Sequence, residues 1–300
     1  MLRRLFILIS LFPAIVFASE AMDDVLRIAM AVPSDTSETD GASYLRDQLN
    51  PKRLKLKSEA AIVADRFGNE VYAKRGDESR PVASITKLMT AMVILDSPVS
   101  LQEPITITKE DRDLVRLTGS RLKYGATLTR EQLVRLALMS SENRAASALA
   151  RTFPGGREVF IREMNRKARD LGMNQSRFAD PAGLEAGNVA SARDLVRLVE
   201  AARQYPLIRE ATTTRTTKVH PYRDRGPLNY HNTNRLLKSD VWEIGLSKTG
   251  YINESGRCLV MWADIEGEPI VIVLLDSFGK LTPFGDSNRI RKWIEGSTKG

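Results

Sequence analysis

Residues 81–91 read Pro81-Val-Ala-Ser-Ile-Thr-Lys-Leu-Met-Thr-Ala91, and the run stays largely apolar as far as Asp96. Pro81 stands just ahead of this segment, so the pattern predicts a helix over 84–96. Residues three apart on a helix are neighbours, which puts the Ser84 hydroxyl and the Lys87 amine on one face. Ser84 falls at the helix start, where unpaired backbone N–H groups can stabilise an oxyanion. A lysine acts as a base only where burial or nearby positive charge depresses its pKa. Taken alone, Ser-x-x-Lys reads more readily as an N-cap followed by a surface lysine, so its companions elsewhere in the chain decide.

Two companions follow in order. Thr129 and Gln132 form a capping box ahead of Leu133, Leu136 and Ala137, and Ser141-Glu142-Asn143 comes directly after that helix. A second hydroxyl with an amide two residues on can relay a proton and hold a substrate amide; alone it is a polar helix terminus. Lys248-Thr249-Gly250 lies within a β-rich run over 244–252. Gly250 lets another backbone approach the strand closely, while Lys248 and Thr249 offer a cation and a hydroxyl to a carboxylate. The order Ser-x-x-Lys, Ser-x-Asn, Lys-Thr-Gly, in helix, loop and strand contexts, matches the motif set of serine penicillin-binding proteins and β-lactamases. Glu142 stands where class A β-lactamases carry aspartate, which weakens that class more than the superfamily.

The surrounding pattern gives an α+β expectation. Ala60–Ala64 and Glu70–Ala73, with a turn at Gly68-Asn69, read as a hairpin. Val159–Leu171 carries Phe160, Met164, Ala168 and Leu171 on one face and stops at Gly172. Ser191 with Asp194 opens another helix through Leu195, Leu198 and Val199. Runs over 244–252, 257–265 and 269–275 are strand-like, with Gly267-Glu268 as a hairpin turn, and 287–295 forms a short basic helix. Strands at both ends with helices between them imply an antiparallel sheet assembled from distant segments, flanked by helices, with an inserted helical subdomain. Cys258 is expected as a buried small hydrophobe, sharing one strand face with Val260 and Trp262 and opposite Leu259 and Met261.

Composition narrows the function classes. The 300 residues are 42% hydrophobic and 27% charged, which excludes collagenous, mucin-like or wholly disordered chains and allows a sizeable core. One cysteine excludes an intrachain disulfide framework, and two histidines, His220 and His231, disfavour multi-histidine catalysis. Arg3 and Arg4 precede an apolar run from Leu5 that ends in Val16-Phe17-Ala18, the pattern of a cleavable signal peptide over 1–18, with Ala21 as a second cleavage position. The run is shorter than the ~20 residues of a membrane span. Pro33–Ser43 is polar and Asn50-Pro51 breaks any helix, so 19–53 is expected as a flexible leader and 54–296 as the folded domain. Loss of 1–18 removes two arginines and lowers the net charge from +8 to +6. For an exported protein that charge suits anionic envelope polymers or no partner at all; no nucleic acid is expected.

From about Leu54 to Glu295 the chain resembles the low-molecular-mass penicillin-binding proteins, serine D-alanyl-D-alanine peptidases, and most resembles their endopeptidase branch. Besides 81–91, the stretches that carry this are Ala137-Leu-Met-Ser-Ser-Glu-Asn-Arg-Ala-Ala146, Phe178-Ala-Asp-Pro-Ala-Gly-Leu184 and Ala192-Arg-Asp-Leu195. Gln204-Tyr-Pro-Leu-Ile208, Asn232-Thr-Asn-Arg235, Ser247-Lys-Thr-Gly-Tyr251 and Gly256-Arg-Cys-Leu-Val-Met261 complete them. The resemblance implies a β-lactamase/DD-peptidase-like fold with Ser84 as acylated nucleophile, Lys87 as its base and Ser141 as proton relay. Asn143 would hold the substrate peptide, and Lys248 and Thr249 the carboxylate, with Lys248 keeping Lys87 partly neutral by like-charge repulsion. The N–H groups of Ser84 and Tyr251, beyond Gly250, would form the oxyanion hole. It implies no cofactor and no metal, peptidoglycan crosslinks and stem peptides as substrates, β-lactams as covalent inhibitors, and a periplasmic location. The chain ends soon after its last predicted helix, which suggests membrane association that is at most peripheral.

Other readings fare less well. A Ser-His-Asp hydrolase lacks a Gly-x-Ser-x-Gly elbow, and a zinc amidase lacks clustered ligands around His220 or His231. A class A β-lactamase needs a deacylating glutamate, for which Glu185 with Asn188 has the wrong spacing. A carboxypeptidase trimming stem pentapeptides uses the same motifs, and a non-catalytic peptidoglycan-binding scaffold has no use for an intact catalytic set.

Overall fold

A computed structural model of the chain describes residues 48–296. The expected signal peptide and the leader as far as residue 47 lie outside these residues. Strand β1 (Ala60–Ala64) and β2 (Glu70–Lys74) form the predicted hairpin. The buried Asp65 shapes its turn by accepting from the Phe67 and Asn69 N–H groups, both at 2.9 Å. From the far end of the chain come β3 (Glu243–Ile252), β4 (Gly256–Ile265) and β5 (Glu268–Ser277). The five strands make one antiparallel sheet in the order β2-β1-β5-β4-β3, so β1 pairs with β5, Ile62 opposite Val273.

Between the two groups of strands lie α1 (Thr86–Asp96), α2 (Arg130–Met139), α3 (Asn143–Arg151), α4 (Gly156–Asp170), α5 (Ala192–Ala202) and α6 (Pro206–Thr213); α7 (Thr282–Glu295) follows the sheet. Alternation along the strands divides the core in two. Ile62, Cys258, Val260 and Val273 face the inserted helices, while Val63, Leu259, Met261 and Ile272 face Ile290 and Ile294 of α7. Because both faces are covered, the central strands read as continuous apolar runs. Every residue from Thr86 to Ile94 is buried, and such a helix, apolar all round, belongs at the centre of a domain.

The structure moves several boundaries. The segment 48–53, expected within the leader, is packed: Leu49 is buried, Pro51–Arg53 form a 3₁₀ turn capped by Asn50, and the Trp293 indole donates to Asn50 O. The segment 83–85 is a 3₁₀ turn, with α1 starting only at Thr86. The last hairpin turns on Glu266 and Gly267, both at positive φ, one residue earlier than expected, because a two-residue type I′ loop needs that geometry at both positions. α4 starts three residues before Val159, and α7 begins at Thr282 rather than Ser287 because Pro283 suits a helix's first turn.

Asp286 of α7 ties the sheet's two ends together. Fully buried, its carboxylate accepts from the Ser58 N–H at 2.7 Å, the Ser58 hydroxyl at 2.6 Å and the Lys57 N–H at 3.0 Å. Asp286→Ala leaves these donors unsatisfied and is expected to cost about 2–3 kcal/mol. Thermal unfolding against the unsubstituted protein checks this.

Candidate active site

Four segments converge at the sheet's β3 edge: the 3₁₀ turn before α1, the α2–α3 junction, the loop 180–184 and β3 itself. α2 and α3 are separated by only Ser140, Glu142 and, between them, Ser141 at φ +60°. Ala83, immediately before Ser84, also has positive φ, +47°. Side chains rarely adopt this conformation, and it concentrates at functional sites. No residue-type pattern announces it at Ala83 or Ser141.

Lys87 is fully buried. Its Nζ donates to Asn143 Oδ1 at 2.8 Å and to Ala182 O at 2.6 Å, and Ser84 Oγ lies 2.8 Å away. Two N–H bonds of a neutral amine are thus committed to carbonyl oxygens, and the remaining vertex, the lone pair, faces the serine hydroxyl. Burial pulls the amine from 10.5 down to about 8, against the raising influence of the Asp180, Glu142 and Asp113 carboxylates. Lys248 Nζ donates to Ser141 Oγ at 3.0 Å and to Thr249 O at 2.9 Å. It too is buried, and burial first, then the Lys87 charge, pushes it well below 10.5. The expectation that Lys248 keeps Lys87 neutral is therefore corrected: burial is the main cause at both lysines.

Gly250 has the role its type suggested. A Cβ there would lie 2.8 Å from Val82 O and 3.2 Å from Ser84 N, so β3 passes directly over the turn that carries Ser84. Within that turn the first N–H to bond back is that of Ile85, to Val82 O, while β3 is an edge strand. Gly250 of β3 thus lies against the Ser84 N–H at the helix start, with Tyr251 next along the strand. The Tyr251 side chain points to the rim, half exposed, its ring stacked on Arg257 at 3.6 Å. Thr249 Oγ1 donates to Thr233 Oγ1 at 2.6 Å. A cavity of about 300 Å³ joins Ser84, Ser141, Asn143, Thr249, Gly250 and Tyr251, with Thr233, Arg235, Arg257 and Lys280 also on its wall. Cys258 borders it as a buried thiol that burial raises to about 11.

Reading residues by motif missed the loop that supplies Ala182. Asp180 accepts from the backbone N–H groups of Ala182, Gly183, Leu184 and Glu185 at 2.6–2.9 Å, and from Asn188 Nδ2 at 2.5 Å. This wraps 181–185 around one carboxylate and fixes Ala182 O under Lys87. Gly183, at φ +76°, lies so close to the turn that carries Ser84 that a Cβ would fall 1.9 Å from Ala83 O. The signal was there in Asp180-Pro-Ala-Gly183, a turn sequence. Glu185, weighed as a β-lactamase glutamate, is exposed on the neighbouring groove. His231 is also exposed, bordering a separate cavity with Tyr230.

Comparison with known proteins agrees with this geometry. The family described as D-alanyl-D-alanine carboxypeptidase matches residues 47–279. A D-alanyl-D-alanine endopeptidase of Pseudomonas aeruginosa is 45% identical over 246 residues, which span 82% of this chain and 79% of that protein. Its namesake in Escherichia coli is 44% identical over 241 residues, spanning 80% and 78%. The crystal structure of a Streptomyces DD-transpeptidase superposes with a TM-score of 0.75 at 26% identity, covering 81% of this chain and 98% of that one.

Gly183→Ala is expected to displace the turn carrying Ser84 and slow its acylation by about 10²-fold, the usual cost of an ~1 Å misplacement. Gly187→Ala in the same loop, where a Cβ meets only the Ala179 methyl at 3.2 Å, should change the rate far less. Acylation kinetics of the two variants make the comparison.

Proposed function

Because the chain belongs to the D-alanyl-D-alanine carboxypeptidase family of serine hydrolases, we propose that it cleaves D-alanyl peptide crosslinks in peptidoglycan through an acyl-enzyme on Ser84. The observation that carries the chemistry is the Lys87 amine, buried near a pKa of about 8 and held 2.8 Å from Ser84 Oγ with two carbonyl acceptors on its other sides, so that its neutral form turns the lone pair to that hydroxyl. Ser84 Oγ attacks the D-alanyl carbonyl as its proton passes to Lys87, and the developing oxyanion meets the Ser84 and Tyr251 N–H groups. The C–N bond then breaks, and the leaving amine takes, through Ser141 Oγ, the proton that Lys87 received, so Lys87 is neutral again while Lys248 holds Ser141 in place. Water, deprotonated in turn by Lys87, hydrolyses the ester and frees Ser84. Asn143 spans the site as acceptor from Lys87 and donor on its other side.

Thr249 lines the cavity and Lys248 lies buried behind it with its Nζ on Ser141 Oγ, an arrangement that suits the carboxylate beside the scissile bond. An arriving carboxylate supplies the counter-charge that favours the Lys248 ammonium form, offsetting the burial that otherwise depresses it. A stem pentapeptide and a D-alanyl-diaminopimelate crosslink both present that carboxylate. The choice of the crosslink rests on the two endopeptidases at 44% and 45% identity. Export to the periplasm is part of the same proposal and is supported by Arg3, Arg4 and the apolar run ending at Ala18. A β-lactam, which mimics the acyl-D-alanyl bond, should act as a covalent inhibitor.

Purified tetra–tetra muropeptide dimers should be converted to monomers, with pentapeptide monomers trimmed slowly or not at all. Faster trimming than dimer cleavage would make the protein a carboxypeptidase. Penicillin should add once, on Ser84, and Ser84→Ala should abolish the adduct. Lys87→Arg, whose guanidinium does not deprotonate, should slow acylation by about 10³-fold or more, and Lys248→Arg far less. The reactive form has Lys87 neutral, so the acylation rate should climb with pH through about 8 and lose its acid limb in Lys87→Arg; stopped-flow acylation between pH 6 and 10 measures both.

A further inference from the structure

The loop 112–120 lies beside the cleft without regular structure, yet its hydrogen bonds run in a single direction. Asp113 is buried, and its carboxylate accepts from the N–H groups of Val115, Arg116 and Thr118, each at 2.9 Å. Those bonds hold the acid below its ordinary pKa against burial, so at neutral pH it only accepts. The Thr118 hydroxyl has one proton and gives it to Asp113 Oδ2 at 2.7 Å. It therefore meets Asn143 as an acceptor, and Asn143 Nδ2 donates to it at 2.9 Å. The amide has two ends: with its NH₂ committed to Thr118, its oxygen faces Lys87 Nζ. Leu117, next to Thr118, sits at φ +55°, a third strained backbone beside the cleft after Ala83 and Ser141. Arg116 pins the loop, donating through Nε to Leu184 O at 2.6 Å and pairing with Glu254 at 2.7 Å.

We propose that Thr118, oriented by Asp113, is a positioning residue for the acylation step: it sets which end of the Asn143 amide faces Lys87 and so directs the amine's lone pair at Ser84. With the amide reversed, its NH₂ would meet Lys87 and compete with Ser84 for that lone pair. The groups facing Lys87 from the packed elements are Asp113 of this loop, Glu142 at the start of α3, Asp180 of the 180–184 loop and Lys248 of β3. None of them can substitute for the neutral acceptor that fixes the amide. The inference rests on the reading of Lys87 as the base.

The test is penicillin acylation of Thr118→Val and Thr118→Ser across pH 6–10, with thermal unfolding as a folding control. Thr118→Val keeps the shape and removes the acceptor. It should lower the plateau acylation rate by about tenfold or more. It should also move the acid limb to lower pH, because the Lys87 ammonium loses an acceptor that favoured it. Thr118→Ser should restore both. Two results overturn the proposal: a Thr118→Val profile matching the unsubstituted protein, or an acid limb displaced upward towards 10.5, which means that the loop has opened and let water reach Lys87. Failure of the base assignment is read separately, as persistent acylation and an intact acid limb in Lys87→Arg.

Discussion

Everything in the cleft depends on one amine kept out of water. Lys87 sits on a helix buried on all sides, and its head group is satisfied by Ser84, Asn143 and Ala182, three segments far apart in the chain. Burying an ammonium ion is costly unless fixed acceptors surround it. That cost is also what lowers its pKa. Below about pH 8 folded and unfolded chains both hold the proton and the burial penalty is constant. Between about 8 and 10.5 the folded protein sheds it first, so this group's contribution to stability rises with pH across that window. The protein gives up stability at neutral pH to keep this amine within reach of its neutral form.

The acceptors must be rigid, and the structure achieves this through backbone rather than through bulk. The Asp180 carboxylate gathers four successive N–H groups to place one carbonyl, and Gly183 lets that loop approach Ala83 more closely than any side chain would permit. Gly250 does the same for β3 on the other side of the turn. Ala83, held at positive φ, stands where these two close approaches meet. Strain of this kind persists only where surrounding contacts over-determine it.

This explains which parts were legible from residue order alone. Ser84, Lys87, Ser141, Asn143, Lys248 and Thr249 carry side-chain chemistry at fixed local spacing, and the alternation around Cys258 correctly assigned the two faces of β4. The sheet's mixed origin followed from strand-like runs at both ends. Thr118 and Asp113 were opaque because their hydrogen bonds exist only once the loop 112–120 has folded, and Asp180 showed only as part of a turn sequence, its ring of backbone donors hidden. Burial and nearby charge were both open as causes of the Lys87 shift, and residue order could not show that burial leads, because charge is visible in a sequence whereas depth is not. Leu49 was assigned to the leader because only its docking beside α7 distinguishes it from the polar stretch before it.

The hydroxyls of Ser58 and Ser277 meet 2.7 Å apart across 219 residues of chain, just where β1 joins β5. β1 is apolar on both faces, and its partner β5 lies far along the chain from it. Closing so long a loop is entropically costly before any contact repays it, and topologies of this kind fold slowly. The hairpin of β1 and β2 must therefore wait with its apolar faces uncovered until the C-terminal strands arrive. The charged residues that bracket β1, Lys55, Lys57 and Glu59 before it and Arg66 after it, are placed as gatekeepers against premature pairing with another chain.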